Sequence, residues 1–246
     1  MEKKFKDYYD EAYADMLAGR IATVLPTFSH ARFMGAIVGQ LEDKAFLERM
    51  DVFARALESG LPGAYPAHIS ALHPLLGDEL GTEAGMFTQG WWLWPVARYV
   101  EKHATEDFAA SVRFIRELTK RHTGEFAVRP LLAAFPVEMM AVMLDWSRDE
   151  NVHVRRLSSE GVRIRLPWAK KLLVALERFE DYRAILGNLK DDASRFVQKS
   201  VGNNLNDLYK EAPAKAEEII ASWERDAPLS RAAQWIVRHG RRNVRR

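Results

Sequence analysis

The sequence predicts an all-α protein built from short, stacked helices. Apolar residues recur with helical spacing along most of the 246 residues, and glycine and proline interrupt this pattern at short intervals. No segment alternates apolar and polar residues as a half-buried strand does. Helices of about 10 to 18 residues with short connections are typical of a helical bundle or an α-solenoid.

The interruptions locate the predicted helices. Thr105, followed by two acidic residues, predicts a capped helix that runs through residue 118. Pro136 predicts a helix start before residues 137–146, and Pro167 predicts another over residues 168–173, because proline suits a first helical turn. The other predicted helices cover residues 7–18, 29–40, 44–58, 65–76, 94–103, 151–161, 181–190, 194–209, 213–224 and 230–244.

Repetition favours the solenoid over the bundle. The segment VRRL at 154–157 recurs 43 residues later as VQKS at 197–200, and 39 residues after that as IVRH at 236–239. A period near 40 is typical of HEAT helical pairs, so we predict a HEAT-like α-α superhelical solenoid. Because no flexible linker is evident, we predict a single domain over residues 1–246, in which residues 1–110 form a more irregular helical part and residues 111–246 carry the repeats.

Charge and composition limit the classes of function. Residues 1–110 hold 10 Lys and Arg against 16 Asp and Glu, whereas the remaining residues hold 26 against 18. This asymmetry suggests a polyanionic partner for the basic part, and the alternative is an incidental drift of surface charge. The absence of cysteine excludes disulfides and thiolate metal sites, and the seven histidines show no paired spacing, so we predict no metal. Without a signal peptide or a membrane-spanning apolar run, we expect a cytoplasmic protein, and we expect a monomer.

The predicted helix at 194–209 has two different faces. Four apolar residues form one stripe at helical spacing: Val197, Val201, Leu205 and Leu208. A polar stripe contains Lys199, Asn203 and Asp207, with Asn206 beside them.

The neighbouring repeats place cations at similar spacing. Arg156 and Glu160 lie four residues apart with Arg163 just beyond, and Arg238 and Arg242 repeat the spacing near the end of the chain, followed by Arg245 and Arg246. Stacked repeats would align these cations into a basic groove suited to phosphates. A simple solvated face is the alternative for any single arginine.

Four segments carry a family resemblance. Residues 151–161 read NVHVRRLSSEG and run on to RLPW at 165–168, and residues 196–207 read FVQKSVGNNLND. Upstream, residues 123–130 read TGEFAVRP, and residues 235–239 read WIVRH. In this order the segments resemble the signatures of AlkC/AlkD-type DNA alkylation-repair glycosylases, and they are most similar to the AlkC type.

The resemblance implies an activity and a set of site residues. It implies hydrolysis, in base excision repair, of the N-glycosidic bond to cationic alkylated bases such as 3-methyladenine in double-stranded DNA, with no metal or organic cofactor. The family's pocket positions fall on Glu125, Arg156, Trp168 and Asp207, and residues 111–246 become the DNA-binding and catalytic repeats.

The sequence departs from the family pattern at five positions: Gly124, Val162, Ile164, Gln198 and Gly202 stand where the family has Ala, Thr, Pro, Arg and Ala. The four pocket positions are unchanged, although Gln198 removes one possible phosphate contact. Many members continue into a further C-terminal domain, so we expect either a short member or a truncated one, since the sequence stops at Arg246.

The chemistry assigns a role to each residue type. A cationic base leaves as a neutral molecule, so positive charge develops on the sugar and no general acid is required. Glu125 would stabilise that charge or orient water, Trp168 would attract the cation through its indole face, and Asp207 would be a second carboxylate or an orienter of Arg156. Six residues are expected to contact DNA: Arg156, Arg163, Lys199, Asn203, Arg238 and Arg242.

Each assignment has a structural alternative. Glu125 could merely occupy a favourable first helical turn, and Trp168 could be a packed core residue. Trp91, Trp92 and Trp94 could stack bases, but their spacing favours core packing or a loop anchor. A HEAT-like scaffold that binds DNA or protein without catalysis is the alternative function, and a pairing of Glu125 with Trp168 would distinguish the enzyme.

Overall fold

The computed structural model describes residues 3–83, 89–225 and 228–244, and these residues form helices and connecting segments without a strand. The prediction of an all-α protein is therefore confirmed. The α-helices are α1 (Glu11–Val24), α2 (His30–Gly35), α3 (Phe46–Gly60), α4 (Tyr65–Leu72), α5 (Trp94–His103), α6 (Phe108–Thr119), α7 (Val128–Ala134), α8 (Pro136–Trp146), α9 (Val152–Glu160), α10 (Val174–Glu177), α11 (Phe179–Leu189), α12 (Arg195–Glu211), α13 (Pro213–Glu224) and α14 (Arg231–Gly240). Short 3-10 helices cover Phe5–Tyr8, His73–Leu76, Trp91–Leu93, Ala104–Glu106 and Arg241–Asn243.

Polar side chains cap many of these helices. The side-chain oxygens of six N-cap residues accept hydrogen bonds from backbone N–H groups of the first turn: Asp10, Ser29, Asp107, Asn151, Ser194 and Ser230. The predicted capped start at Thr105 is wrong, because residues 104–106 form a 3-10 turn and Asp107 caps α6. α7 was not among the predicted helices.

The described chain divides into two compact units. Unit 1 comprises residues 3–80 and 89–122 and contains α1 to α6. Its core includes Trp94, whose ring meets the edge of Phe46 at a centroid distance of 4.7 Å. The backbone carbonyls of Trp91 and Trp92 accept hydrogen bonds from buried tyrosine hydroxyls. These contacts correspond to core packing and a loop anchor rather than to a platform for bases.

Unit 2 comprises residues 81–83, 123–225 and 228–244 and contains α7 to α14. Helices α8, α11 and α13 pack in succession in one layer, and α9, α12 and α14 pack in succession in the other. α8 also contacts α9, and α11 contacts α12, so the layers are joined as helical pairs. This is the stacking of HEAT-like repeats, and it confirms that prediction.

The repeat register follows the caps. Asn151 and Ser194, 43 residues apart, cap α9 and α12, so Val154 and Val197 occupy equivalent positions. Ser230, which caps α14, follows Ser194 by fewer residues than the 39 that separate Val197 from Ile236. Ile236 therefore lies about one turn further into its helix than Val197 does in α12. A shift of one turn keeps a residue on the same face, and all three apolar side chains are fully buried. The predicted stripe on α12 is likewise fully buried.

Two further details differ from prediction. Residues 168–173 do not form the predicted helix, since the chain turns at Pro167 and Trp168 and α10 begins only at Val174. The predicted last helix ends at Gly240 and continues as a 3-10 turn, and Arg245 and Arg246 lie outside the described residues. Within the described residues, no helix is both long and apolar enough to cross a membrane.

Candidate active site

Five charged side chains of unit 2 form a continuous series of ion pairs, which we call the charged chain: Glu125, Arg156, Glu160, Arg163 and Asp207. Arg156 donates to the Glu125 carboxylate at 2.5 Å, and its other nitrogen lies 3.4 Å from Glu160. Arg163 donates to Glu160 at 2.8 Å and to Asp207 at 3.0 Å. The longest single link, between Arg163 and Asp207, joins residues 44 positions apart, so the network brings together distant segments of the chain.

Secondary structure positions each member of the charged chain. Glu125 lies in the turn before α7, where Thr123 accepts from its backbone N–H and donates to its carboxylate at 3.2 Å. Arg156 and Glu160 lie one turn apart on α9, and Arg163 follows directly after that helix. Asp207 lies on α12, which packs against α9 and thus brings its carboxylate to Arg163.

The charged chain is removed from water. The Arg163 side chain is only 9% exposed, and the three carboxylates are more buried still. Burial raises the pKa of the Glu125 carboxyl above its ordinary value, although the positive charge of Arg156 acts in the opposite direction. Burial alone would also raise the pKa of Glu160, but Arg156 and Arg163 outweigh that effect and lower it.

Glu160 is the central member of the charged chain, and sequence reasoning gave it no role at the site. Besides both arginines, its carboxylate accepts a hydrogen bond from the Ser200 hydroxyl at 2.6 Å. Its spacing was a usable signal, because a glutamate four residues after Arg156 and three before Arg163 can reach both on a helix.

Asp207 pairs with Arg163, so the suggestion that it orients Arg156 is wrong. Its carboxylate also accepts from the backbone N–H of Arg165 at 3.3 Å. Arg165 begins the segment RLPW, and Asp207 is thereby attached to the backbone that leads to Trp168.

Trp168 is presented on a tight turn. The N–H of Ala169 donates to the carbonyl of Leu166, and Trp168 has φ of 64°. Proline at the second position and a positive φ at the third are typical of a type II turn, where glycine is the usual third residue. The indole is 59% exposed, so Trp168 is not a packed core residue. A bulky side chain in this strained backbone region is a feature often found at functional sites.

A basic surface adjoins Asp207 on α12 and α14. The side-chain oxygen Oδ1 of Asn203 accepts a hydrogen bond from Arg242 at 3.0 Å and lies 3.0 Å from Nε2 of His239. Burial, together with the positive charges of Arg242 and Lys199, lowers the pKa of His239. Lys199 and Arg238 are exposed, and neither forms an ion pair with a described residue.

Arg242 is close enough to the charged chain to be affected by its charges. Burial and the positive charge of Arg163 lower the pKa of Arg242, against the opposing effect of Asp207. Of the residues expected to contact DNA, the structure thus brings together Lys199, Asn203 and Arg242. Arg156 and Arg163 instead direct their guanidinium groups at carboxylates.

Two departures from the family pattern have local explanations. A Cβ atom at residue 202 would lie 2.8 Å from the His239 ring, so Gly202 permits α14 to approach α12 closely. That ring stacks on Trp235 with a centroid distance of 4.8 Å. Gln198 donates to the backbone carbonyl of Asp192 and is buried.

Comparisons with known proteins identify a family and two similar proteins. The family described as DNA alkylation repair enzyme matches residues 95–243. YhaZ, an uncharacterised protein of Bacillus subtilis, is 32% identical over 97% of this chain. The Pseudomonas fluorescens alkylpurine DNA glycosylase AlkC, solved bound to DNA containing an abasic site analog, superposes with a TM-score of 0.83 at 31% identity over 96% of this chain. The chain spans 64% of the length of YhaZ and 63% of the AlkC chain.

Proposed function

The chain belongs to the DNA alkylation repair enzyme family, and we propose that it is a DNA glycosylase that excises cationic alkylated bases such as 3-methyladenine. The substrate would be double-stranded DNA, and the reaction would begin base excision repair. The likeness to a solved alkylpurine DNA glycosylase over nearly the whole chain supports this activity.

The observation that carries the proposal is the charge of the buried network. When all three carboxylates are ionised, they exceed the two guanidinium groups by one negative charge, in a place where water is scarce. An unbalanced buried charge is costly unless a counter-charge is supplied. A base that is positively charged, on a sugar that becomes positively charged in the transition state, supplies it.

The reaction follows from this complementarity. The electron pair of the bond between C1′ and the base nitrogen leaves with the base, which becomes neutral, and the sugar becomes an oxocarbenium ion. Glu125 and Asp207 are the carboxylates that would face this ion. Water then adds to C1′, and a carboxylate or solvent accepts the proton that the water loses.

The two arginines of the charged chain have an orienting role in this proposal. The donors of Arg163 are directed at Glu160, Asp207 and the carbonyl of Arg165, so a phosphate contact would require these bonds to break. Each arginine instead fixes one candidate carboxylate, with Glu160 holding the two arginines in place.

Trp168 and the basic surface would hold the substrate. An exposed indole face attracts a cation with about 0.5–2 kcal/mol, which suits a cationic base or the developing sugar cation. Lys199, Asn203, Arg238 and Arg242 lie on α12, on α14 and just beyond it, where they would contact backbone phosphates. Such contacts secure affinity without reading sequence.

The test is single-turnover release of 3-methyladenine from a duplex by the parental protein and by Glu125→Gln. The substitution is nearly isosteric and removes the charge. We therefore expect the activation barrier to rise by about 2–4 kcal/mol, which slows the reaction roughly 30- to 1000-fold. DNA binding and circular dichroism should change little. Glu217→Gln is the matched control, because that carboxylate is also ion-paired, but to Arg241 on the surface of unit 2.

The outcomes separate the two levels of the proposal. If Glu125→Gln cleaves at the parental rate, Glu125 is not the required carboxylate, and Asp207→Asn is the next variant. If the parental protein binds the duplex but releases no base, the glycosylase proposal fails and a non-catalytic scaffold is the better description.

A further inference from the structure

We propose that Arg129 is a positioning residue that holds the Trp168 turn in the conformation needed for base release, an inference that rests on the proposed glycosylase function. Arg129 lies on α7 and is 8% exposed. Its guanidinium group donates to three backbone carbonyls, those of Gly161 at 3.2 Å, Arg163 at 2.9 Å and Lys170 at 2.6 Å.

These three carbonyls lie on both sides of the turn. Gly161 and Arg163 precede the turn at residues 166–169, and Lys170 follows it directly. One guanidinium group therefore binds the backbone that leads into the turn and the backbone that leaves it. The N–H of Leu172 donates to the carbonyl of Ile164 at 3.1 Å, which closes the same segment from within.

The turn depends on such an external hold. A non-glycine residue with positive φ costs about 1–3 kcal/mol, and such strain persists only where the surroundings impose it. The Trp168 side chain is 59% exposed, so burial of the indole is not the main constraint on the backbone at this position. The hydrogen bonds from Arg129 act on backbone carbonyls seven and five residues before the strained residue and two residues after it.

The chemistry of arginine suits this role. A planar guanidinium group presents several donors in a fixed arrangement, whereas a lysine ammonium is a compact charge that cannot meet three separated acceptors in the same way. Gly161 allows the close approach, because a Cβ atom there would lie 2.6 Å from the Val128 side chain. Arg129→Lys therefore preserves the positive charge and removes the planar group of donors that binds the three carbonyls.

The experiment is a double-mutant cycle of Arg129→Lys and Trp168→Ala, measured as single-turnover release of 3-methyladenine from a duplex. Trp168→Ala should slow release by about 2- to 30-fold, the range of a cation–π contact. If Arg129 acts through Trp168, Arg129→Lys slows release by no more than Trp168→Ala does, and the double variant is as slow as Trp168→Ala alone. Losses that multiply in the double variant would overturn the proposal.

A second measurement does not depend on catalysis. In Arg129→Lys, amide hydrogen exchange should accelerate at Ala169 and Leu172, whose N–H groups bond within the turn segment. Arg155→Lys is the matched control, because Arg155 also pins two backbone carbonyls, those of Asp149 and Glu150, but away from the turn. It should leave both the rate and the exchange at the turn unchanged.

The remaining outcomes are equally decisive. If the parental protein releases no base, the glycosylase proposal fails, while faster exchange confined to the turn still supports the positioning role of Arg129. Unchanged exchange in Arg129→Lys would overturn that role whatever the catalytic result. Global unfolding of Arg129→Lys would overturn it too, because a hold confined to one turn does not support the whole unit.

Discussion

Replacing Trp168 with alanine and with glycine separates the strain of the turn from the function of the indole. Both substitutions remove the ring, and they differ only in the Cβ atom. Trp168 has φ of 64°, a region that glycine adopts freely and that alanine adopts at a cost. We therefore expect Trp168→Gly to be the more stable of the two variants, against the ordinary order of these residues.

The magnitude follows from two opposing contributions. A left-handed conformation costs an L-residue roughly 1–2 kcal/mol, which alanine retains and glycine avoids. Glycine loses more conformational freedom on folding, which costs roughly 0.5–1 kcal/mol. The difference is about 0–1.5 kcal/mol in favour of glycine. Both variants lose the same buried area of the indole, so this loss cancels when the two are compared.

Urea unfolding followed by circular dichroism measures this difference, provided that the two variants share the same dependence on denaturant. An alanine variant more stable than the glycine variant would refute a left-handed Trp168. Under the proposed function, both variants should lose base release to a similar extent, because both lack the indole face.

Four further predictions concern packing, the pH dependence of activity and of stability, and DNA binding. Gly240→Ala should destabilise the protein by about 1–3 kcal/mol in thermal unfolding, because its Cβ atom would lie 2.7 Å from a leucine Cβ of α12, whereas Gly187→Ala on α11 meets nothing closer than 4.0 Å and should not destabilise. Burial raises the pKa of Glu125, so base release should fall with acidification through a pH above the ordinary glutamate value of about 4.3, and Glu125→Gln should lack that inflection in a pH–rate profile. Because the pKa of Glu125 is raised in the folded state, its contribution to stability is fully present below the unfolded pKa and is lost as pH rises through the raised value. The free energy of unfolding of Glu125→Gln, relative to that of the parent, should therefore be most favourable at neutral pH. Lys199→Gln should reduce the slope of log affinity for duplex DNA against log salt by about 0.9, and Arg183→Gln on the other helical layer should not.

The local features of unit 2 were readable from the sequence. The polar residues Asn151 and Ser194 cap α9 and α12, and the apolar stripe of α12 is fully buried as its spacing predicts. Caps and helical periodicity act within a few residues, so no knowledge of the fold is needed to recognise them. The candidate carboxylates and Trp168 were also identified in sequence, through the family resemblance.

The turn at Trp168 shows where local signals are ambiguous. Pro167 suits the first turn of a helix and the second position of a type II turn equally well. No capping side chain precedes it, and glycine, the usual sign of the turn, is absent. The bonds from Arg129, 41 residues before Lys170, are among the contacts that hold the second conformation.

The sequence by itself determined the helical class, the helical layer that faces the core and the family to which the chain belongs, because each depends on spacing or on motifs within short segments. Only the tertiary structure decided which charges meet. Asp207 pairs with Arg163 and not with Arg156, because α12 packs against α9 in one particular register. Glu160 lies between both arginines. Periodicity specifies the buried face of a helix, but the partner across that face depends on how the neighbouring helix is placed, and the charged chain is a product of that placement.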